Sequence, residues 1–194
     1  GTNETEITST GVYYDPEYSP DGTKIIAKFD STDDEIYIMN ADGSNVVNLT
    51  NNSVDEREAN WSPDGTKIVY SSLVSSYQEI FTMNADGSGK TQLTSDGLGY
   101  HSPVYSPDGT KLAFIDILAP SLIYVSDADG TNKLQIPVGW GRELSWQPLT
   151  RAPQSTTPNP TIGISGGKAS INIASLYTDT YEGMDASSVS VTAQ

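Results

Sequence analysis

The 194-residue chain has no cysteine and a single histidine, His101. The first absence removes disulfides, thiolate metal sites and cysteine nucleophiles together, and it fits a reducing or an oxidising compartment equally. Basic residues are scarce as well: 10 Lys and Arg stand against 25 Asp and Glu, a net charge of −15 with no basic run. A phosphate backbone is repelled by such a surface, which sets nucleic acid aside as a partner. No apolar run approaches the roughly 20 residues of a membrane helix, so membrane insertion is not expected. The opening stretch GTNETEITSTGV lacks the basic start and apolar centre of a signal peptide. Gly1 reads either as the residue left by removal of a signal or as the point where this sequence begins.

What the chain has is repetition. YSPDGTKI at Tyr18 returns as WSPDGTKI at Trp61 and YSPDGTKL at Tyr105. A second stretch follows in register: IYIMNADGSNVVNLT from Ile36, IFTMNADGSGKTQLT from Ile80 and IYVSDADGTNKLQIP from Ile123. Tyr18, Trp61, Tyr105 and Trp146 fall at spacings of 43, 44 and 41, a period that signals a stacked or radial array. Apolar residues alternate within each unit, as in Ile25, Ala27 and Phe29, which is the period of a strand. In Ser-Pro-Asp-Gly, Pro presets φ, Asp suits the third position, and Gly takes the left-handed conformation that closes a three-residue hairpin loop. Asn-Ala-Asp-Gly makes the same turn without Pro. Each unit therefore reads as four strands, a to d, with turns at a-b and c-d.

These motifs together resemble the TolB-type propeller repeat, over Glu6 to Pro148. The resemblance implies an all-β fold, a β-propeller of four-stranded antiparallel blades. Three complete blades are expected at about residues 15–50, 58–94 and 102–137, with partial strands at 6–8 (a d strand) and 144–148 (an a strand). Propellers close with about four to eight blades, and the resemblance implies six. Three completions stay open: two chains share one ring, the tail supplies the missing strands, or the sequence is a segment of a longer protein. An open array leaves strand edges that pair with another copy, which favours an oligomer or fibre.

From Leu149 the composition changes. Residues 149–160 read as an extended Thr/Pro linker, and 161–194 as a strand-rich segment that donates strands or resembles an Ig-like or cadherin-like module of bacterial surface proteins. Gly163-Ile164-Ser165-Gly166-Gly167 fits the G-x-S-x-G pattern of a nucleophile elbow. That elbow needs a helix after the Ser and a downstream His, whereas here the following residues are strand-like and His101 lies upstream, so a hairpin turn is expected.

Alternating strands put the a-b and c-d turns on one face, carrying Asp21, Asp64 and Asp108 with Asp42, Asp86 and Asp129. Each is first a turn former. Carboxylates in tight turns also suit Ca²⁺, for which Asp127, Asp129, Asp42 and Asp86 are the candidate ligands, although no calcium is required. The opposite face carries the variable loops, where Tyr77, Tyr100, His101 and Trp140 are candidates for binding a peptide or sugar. One His and no Cys exclude the His-rich metal sites of propeller lyases, and a propeller peptidase needs a hydrolase domain. The sequence thus points to a non-catalytic, extracellular or cell-surface scaffold that assembles with itself or binds another protein or a glycan. A periplasmic adaptor of the TolB kind is the alternative, and a propeller segment of a larger peptidase the third reading.

Overall fold

The computed structural model describes residues 6–8, 11–118, 122–136, 143–148, 163–165, 168–172 and 187–192. Among these residues there are sixteen strands in four four-stranded sheets, and no helix. By internal contacts the chain divides into residues 1–103 and 104–194.

The first unit holds two sheets of sequential antiparallel strands. One contains β1 (Tyr13–Tyr18), β2 (Lys24–Phe29), β3 (Glu35–Asn40) and β4 (Val47–Asn48). The other contains β5 (Glu56–Trp61), β6 (Lys67–Val74), β7 (Tyr77–Asn84) and β8 (Thr91–Gln92). The repeat is exact at the level of register: Tyr18 faces Ile25 as Trp61 faces Ile68. Both first strands carry a bulge, where Asp15 (φ 51°) and Glu58 (φ 54°) take the left-handed region. Ile26, Ile36 and Leu49 from the first sheet share a core with Ala59, Trp61, Ile68, Tyr70 and Met83 from the second. Burying such a side chain contributes about 1.5–3 kcal/mol, so this core carries much of the unit's cohesion.

The Ser-Pro-Asp-Gly turn differs from the expected three-residue loop. Ser19 N–H donates to Lys24 O at 2.9 Å, so four residues lie between the closing pair. Ser19 O is already taken by Gly22 N–H at 2.8 Å, and the Ser19 hydroxyl therefore accepts the Lys24 N–H at 2.9 Å. The side chain stands in for a backbone acceptor, which explains why Ser recurs at Ser62 and Ser106, with the same bonds at Lys67 and Lys111. The Asn-Ala-Asp-Gly turn does hold three residues, closed by Asn40 N–H to Ser44 O at 2.8 Å. Ala41 N–H reaches Thr23 O at 2.9 Å, and Ala85 reaches Thr66 O at 3.0 Å, so both turns of a sheet lie side by side as expected.

At the other end of these two sheets a buried glutamate ties down the d strand. The Thr50 hydroxyl donates to Glu35 and accepts Ile36 N–H at 3.0 Å, while Asn52 N–H donates to the second Glu35 oxygen at 2.8 Å. Glu79, Thr94, Ile80 and Gly97 repeat the arrangement. The third repeat has Leu122 and Pro137 in these places, a paired exchange of both partners.

Glu6–Thr8 is not a strand, contrary to expectation. Ile7 nevertheless packs where a d-strand residue would. A Cβ on Gly43 would meet Ile7 O at 1.8 Å, just as one on Gly87 would meet Leu49 O at 3.0 Å.

The second unit begins inside β9 (Tyr100–Tyr105), which edges a sheet with β10 (Lys111–Asp116), β11 (Ile123–Asp127) and β12 (Leu134–Ile136). Its core gathers Ala113, Ile115, Ile123, Val125, Ile136 and Leu144, with Val104 and Trp146 against it. The last sheet is ordered β13 (Glu143–Pro148), β16 (Ser187–Thr192), β15 (Lys168–Asn172), β14 (Gly163–Ser165). β13 pairs with β16 from Glu143↔Thr192 to Pro148↔Ser187, so three tail strands join the fourth a strand in one sheet. β14 and β15 form the hairpin expected in place of a nucleophile elbow; Gly166 and Gly167, like the linker 149–160, lie outside the described residues.

Candidate functional site

On the turn face every Asp of the sequence-derived calcium set serves its own turn. Asp42 Oδ1 accepts the Ser44 N–H and hydroxyl at 2.9 and 2.6 Å, and Asp86 does the same with Ser88. Asp129 accepts from Thr131, and Asp127 from the Lys111 ammonium and Asn132. These hydrogen bonds hold all four carboxyls below their usual range, with the Ser44, Ser88, Lys111 and Thr131 donors the leading causes. Among the described residues no three Asp, Glu or His side chains form a group suited to a metal ion.

The opposite face separates the four aromatic candidates. Tyr77 opens β7 beside a turn at Ser75 (φ 60°) and is 40% exposed. Tyr100 is not a surface residue: its ring is fully buried and its hydroxyl donates to Asp96 at 3.0 Å. It occupies the place that Tyr13 and Glu56 hold in the other repeats, where the strand faces the interior. His101 is half-buried, with Nδ1 2.9 Å from Ser102 Oγ and 3.6 Å from Glu58 Oε1. Trp140 lies outside the described residues.

Two carboxylates that the sequence did not single out link the first strands of successive repeats. Glu17 Oε2 accepts Trp61 N–H at 2.9 Å, and Glu58 Oε2 accepts Ser102 N–H at 2.7 Å. Burial pushes Glu17 up to about 7 although the Trp61 N–H opposes it. Burial also pushes Glu58 up, but the His101 and Ser102 contacts outweigh it and leave the carboxyl below its usual range. Nearby, buried Asp34 is held by Lys28 at 3.1 Å and Arg57 at 2.9 Å, and Arg57 also meets Asp55 at 3.1 Å. A Glu one or three places before the repeat aromatic was the available signal for the first pair, and it was masked by the general excess of acid.

The outer side of the first repeat is open. Tyr18 is 60% exposed, whereas Trp61, in the same place of the next repeat, is 7% exposed within the shared core. Tyr14 and Val12 are exposed along the same stretch, with Lys28 Nζ 4.8 Å from the Tyr14 ring centroid.

Comparison with known families finds the TolB beta propeller domain over residues 2–148. No curated protein sequence matches the chain. Among solved structures, a TolB-like protein from Agrobacterium tumefaciens superposes with TM-score 0.59 at 23% identity, covering 81% of this chain and 52% of that one. TolB from Acinetobacter baumannii gives 0.60 at 17% identity, covering 92% and 43%. A chain of a nidogen/laminin complex gives 0.58 at 18% identity, covering 69% and 52%. The chain thus spans about half the length of these structures, and at such identities the likeness is one of fold.

Proposed function

Because the chain belongs to the TolB beta propeller domain family, we propose that it is a non-catalytic, extracytoplasmic scaffold that works by binding protein, and that it assembles with copies of itself through its open blade. The observation that carries this reading is the contrast between Tyr18 and Trp61, 60% and 7% exposed at one position of the repeat. A preceding blade covers Trp61; the same kind of surface fits over Tyr18. Propeller blades pack on one another through this row of residues, so the natural occupant is another blade. The nidogen/laminin neighbour, a chain solved in a protein complex, agrees with a binding role.

Light scattering on the 194-residue chain tests the reading, beside the Tyr18→Glu variant. A multimer that dissociates in the variant is the expected result. The contact is apolar, so a calcium chelator leaves the mass unchanged. A monomer in both samples overturns self-assembly and favours a second reading, a periplasmic adaptor for another protein, which the likeness to TolB structures supports.

A further inference from the structure

On the turn face of the first unit, a groove of about 800 Å³ runs between the first and second sheets. Its walls are apolar: Ile38, Val47, Leu49 and Trp61 line it. Ile38 and Val47 face each other across β3 and β4, and Val47 is 52% exposed. The second sheet has Thr82 and Thr91 as the matching pair, so the repeat itself does not demand apolar residues there. The Trp61 indole N–H is buried and has no hydrogen-bond acceptor among the described residues. Trp146, its counterpart, donates to Val104 O at 3.2 Å. Native proteins rarely leave such a donor unmatched, so the polar accounting of this groove is incomplete.

The rim is anionic and fixed. Asp21, Asp64 and Asp86 line the groove, and each commits Oδ1 to its own turn. No hydrogen bond falls on Oδ2 of any of the three among the described residues. The turn donors hold the carboxyls below their usual range, Asp21 at about 2. Among the described residues Lys24 is the one cation lining the groove, and its Nζ is engaged by Asn40 Oδ1 at 2.7 Å. Three ionised carboxylates over an apolar wall therefore face one tied ammonium.

We propose that this groove captures an extended polypeptide segment in which Lys or Arg alternates with apolar residues. The apolar side chains of the guest bury against Ile38, Val47 and Leu49, and its cations meet the free oxygens on the rim. A groove of this volume suits a few side chains in extended order. The charge sign excludes an acidic guest. The inference rests on the protein-binding reading and adds the chemistry of a partner at a surface other than the Tyr18 face.

Fluorescence anisotropy of a labelled octapeptide alternating Leu and Arg tests it on the full chain. Octapeptides alternating Leu with Glu, and Ser with Arg, serve as comparisons. Saturable binding of the Leu/Arg peptide alone is expected. The triple variant Asp21→Asn, Asp64→Asn, Asp86→Asn keeps the turn acceptors, and it weakens binding about tenfold or more. Ile38→Thr with Val47→Thr, copied from the second sheet, does the same. The charge-matched triple Asp42→Asn, Asp108→Asn, Asp129→Asn, none of which lines the groove, stays within about twofold. Equal weakening by both triples, equal binding of the Ser/Arg peptide, or no binding of the Leu/Arg peptide overturns the proposal. Mass reports the Tyr18 contact and anisotropy the groove, so either fails without the other.

Discussion

The Thr94 hydroxyl stands between Glu79 and the backbone of Ile80: it donates to the carboxylate and accepts the Ile80 N–H at 2.9 Å. The other Glu79 oxygen takes Gly97 N–H at 2.9 Å, so one carboxylate fixes the last strand of the sheet and the connection that leaves it. Thr94→Val removes a donor and an acceptor at once from a buried site. The expected cost is about 1–3 kcal/mol in urea unfolding. A cycle with Glu79→Gln should return a coupling of about 0.5–3 kcal/mol; additive effects would show that the two groups act separately.

Tyr18 and Trp61 share a repeat position but not an environment, 60% against 7% exposed. Trp61→Ala opens the core formed with Ile26, Leu49 and Met83, at an expected cost of about 3–5 kcal/mol. In dilute monomer Tyr18→Ala should stay within about 0.5 kcal/mol. Trp61→Phe loses no hydrogen bond, whereas Trp146→Phe loses the one to Val104 O, so the second should cost about 1 kcal/mol more. Chemical denaturation of the four variants ranks them.

Glu17 gives a pH dependence with a defined sign. Burial raises its carboxyl from the ordinary 4.5 to about 7 in the folded chain, so the folded state holds the proton more tightly than the unfolded one. Its stabilisation is complete below 4.5, declines as pH rises, and is lost once pH passes about 7. Glu17→Gln keeps an acceptor for Trp61 N–H without the charge. The variant is expected to be more stable than the parent at about pH 8, with the gap closing towards about pH 4.5. The turn aspartates act in the opposite sense: Asp21, lowered from 3.8 to about 2, loses its contribution as pH falls through that lower value. Urea midpoints of parent and Glu17→Gln across this range decide the matter, and parallel curves would refute it.

Much of the architecture was legible because it rests on local chemistry. Ser-Pro-Asp-Gly and Asn-Ala-Asp-Gly mark chain reversals, and alternation marks the strands between, so the blades could be laid out from residue order alone. The Ser hydroxyl acting as a backbone acceptor for Lys24 was not legible, since it depends on Ser19 O being occupied by Gly22. Nor was the burial of Tyr100: an aromatic among loop residues reads as a binding group until the strand is known to begin with it. Glu17 and Glu58 escaped notice for a related reason. In a chain with 25 acidic residues, only three-dimensional packing separates a solvated carboxylate from one that grips a neighbouring strand. The groove under Asp21 and Asp64 lies between residues 43 positions apart and has no local signature.

Gly43 and Gly22 separate backbone strain from close approach. Both have positive φ, +83° and +71°, so an alanine at either site pays for a left-handed conformation, about 1 kcal/mol. At Gly22 nothing lies within 4 Å of the added methyl, and the cost should end there. At Gly43 the methyl would meet Ile7 O at 1.8 Å, which the chain relieves only by moving residues 6–8 away. Gly43→Ala is therefore expected to lose about 1 kcal/mol beyond the Gly22→Ala variant, together with the contact that seats Ile7 as Leu49 is seated on Gly87. Hydrogen exchange at Ile7 and urea unfolding of both variants check this. Equal stability with unchanged protection at Ile7 would mean that the segment does not pack on the Asn-Ala-Asp-Gly turn in solution.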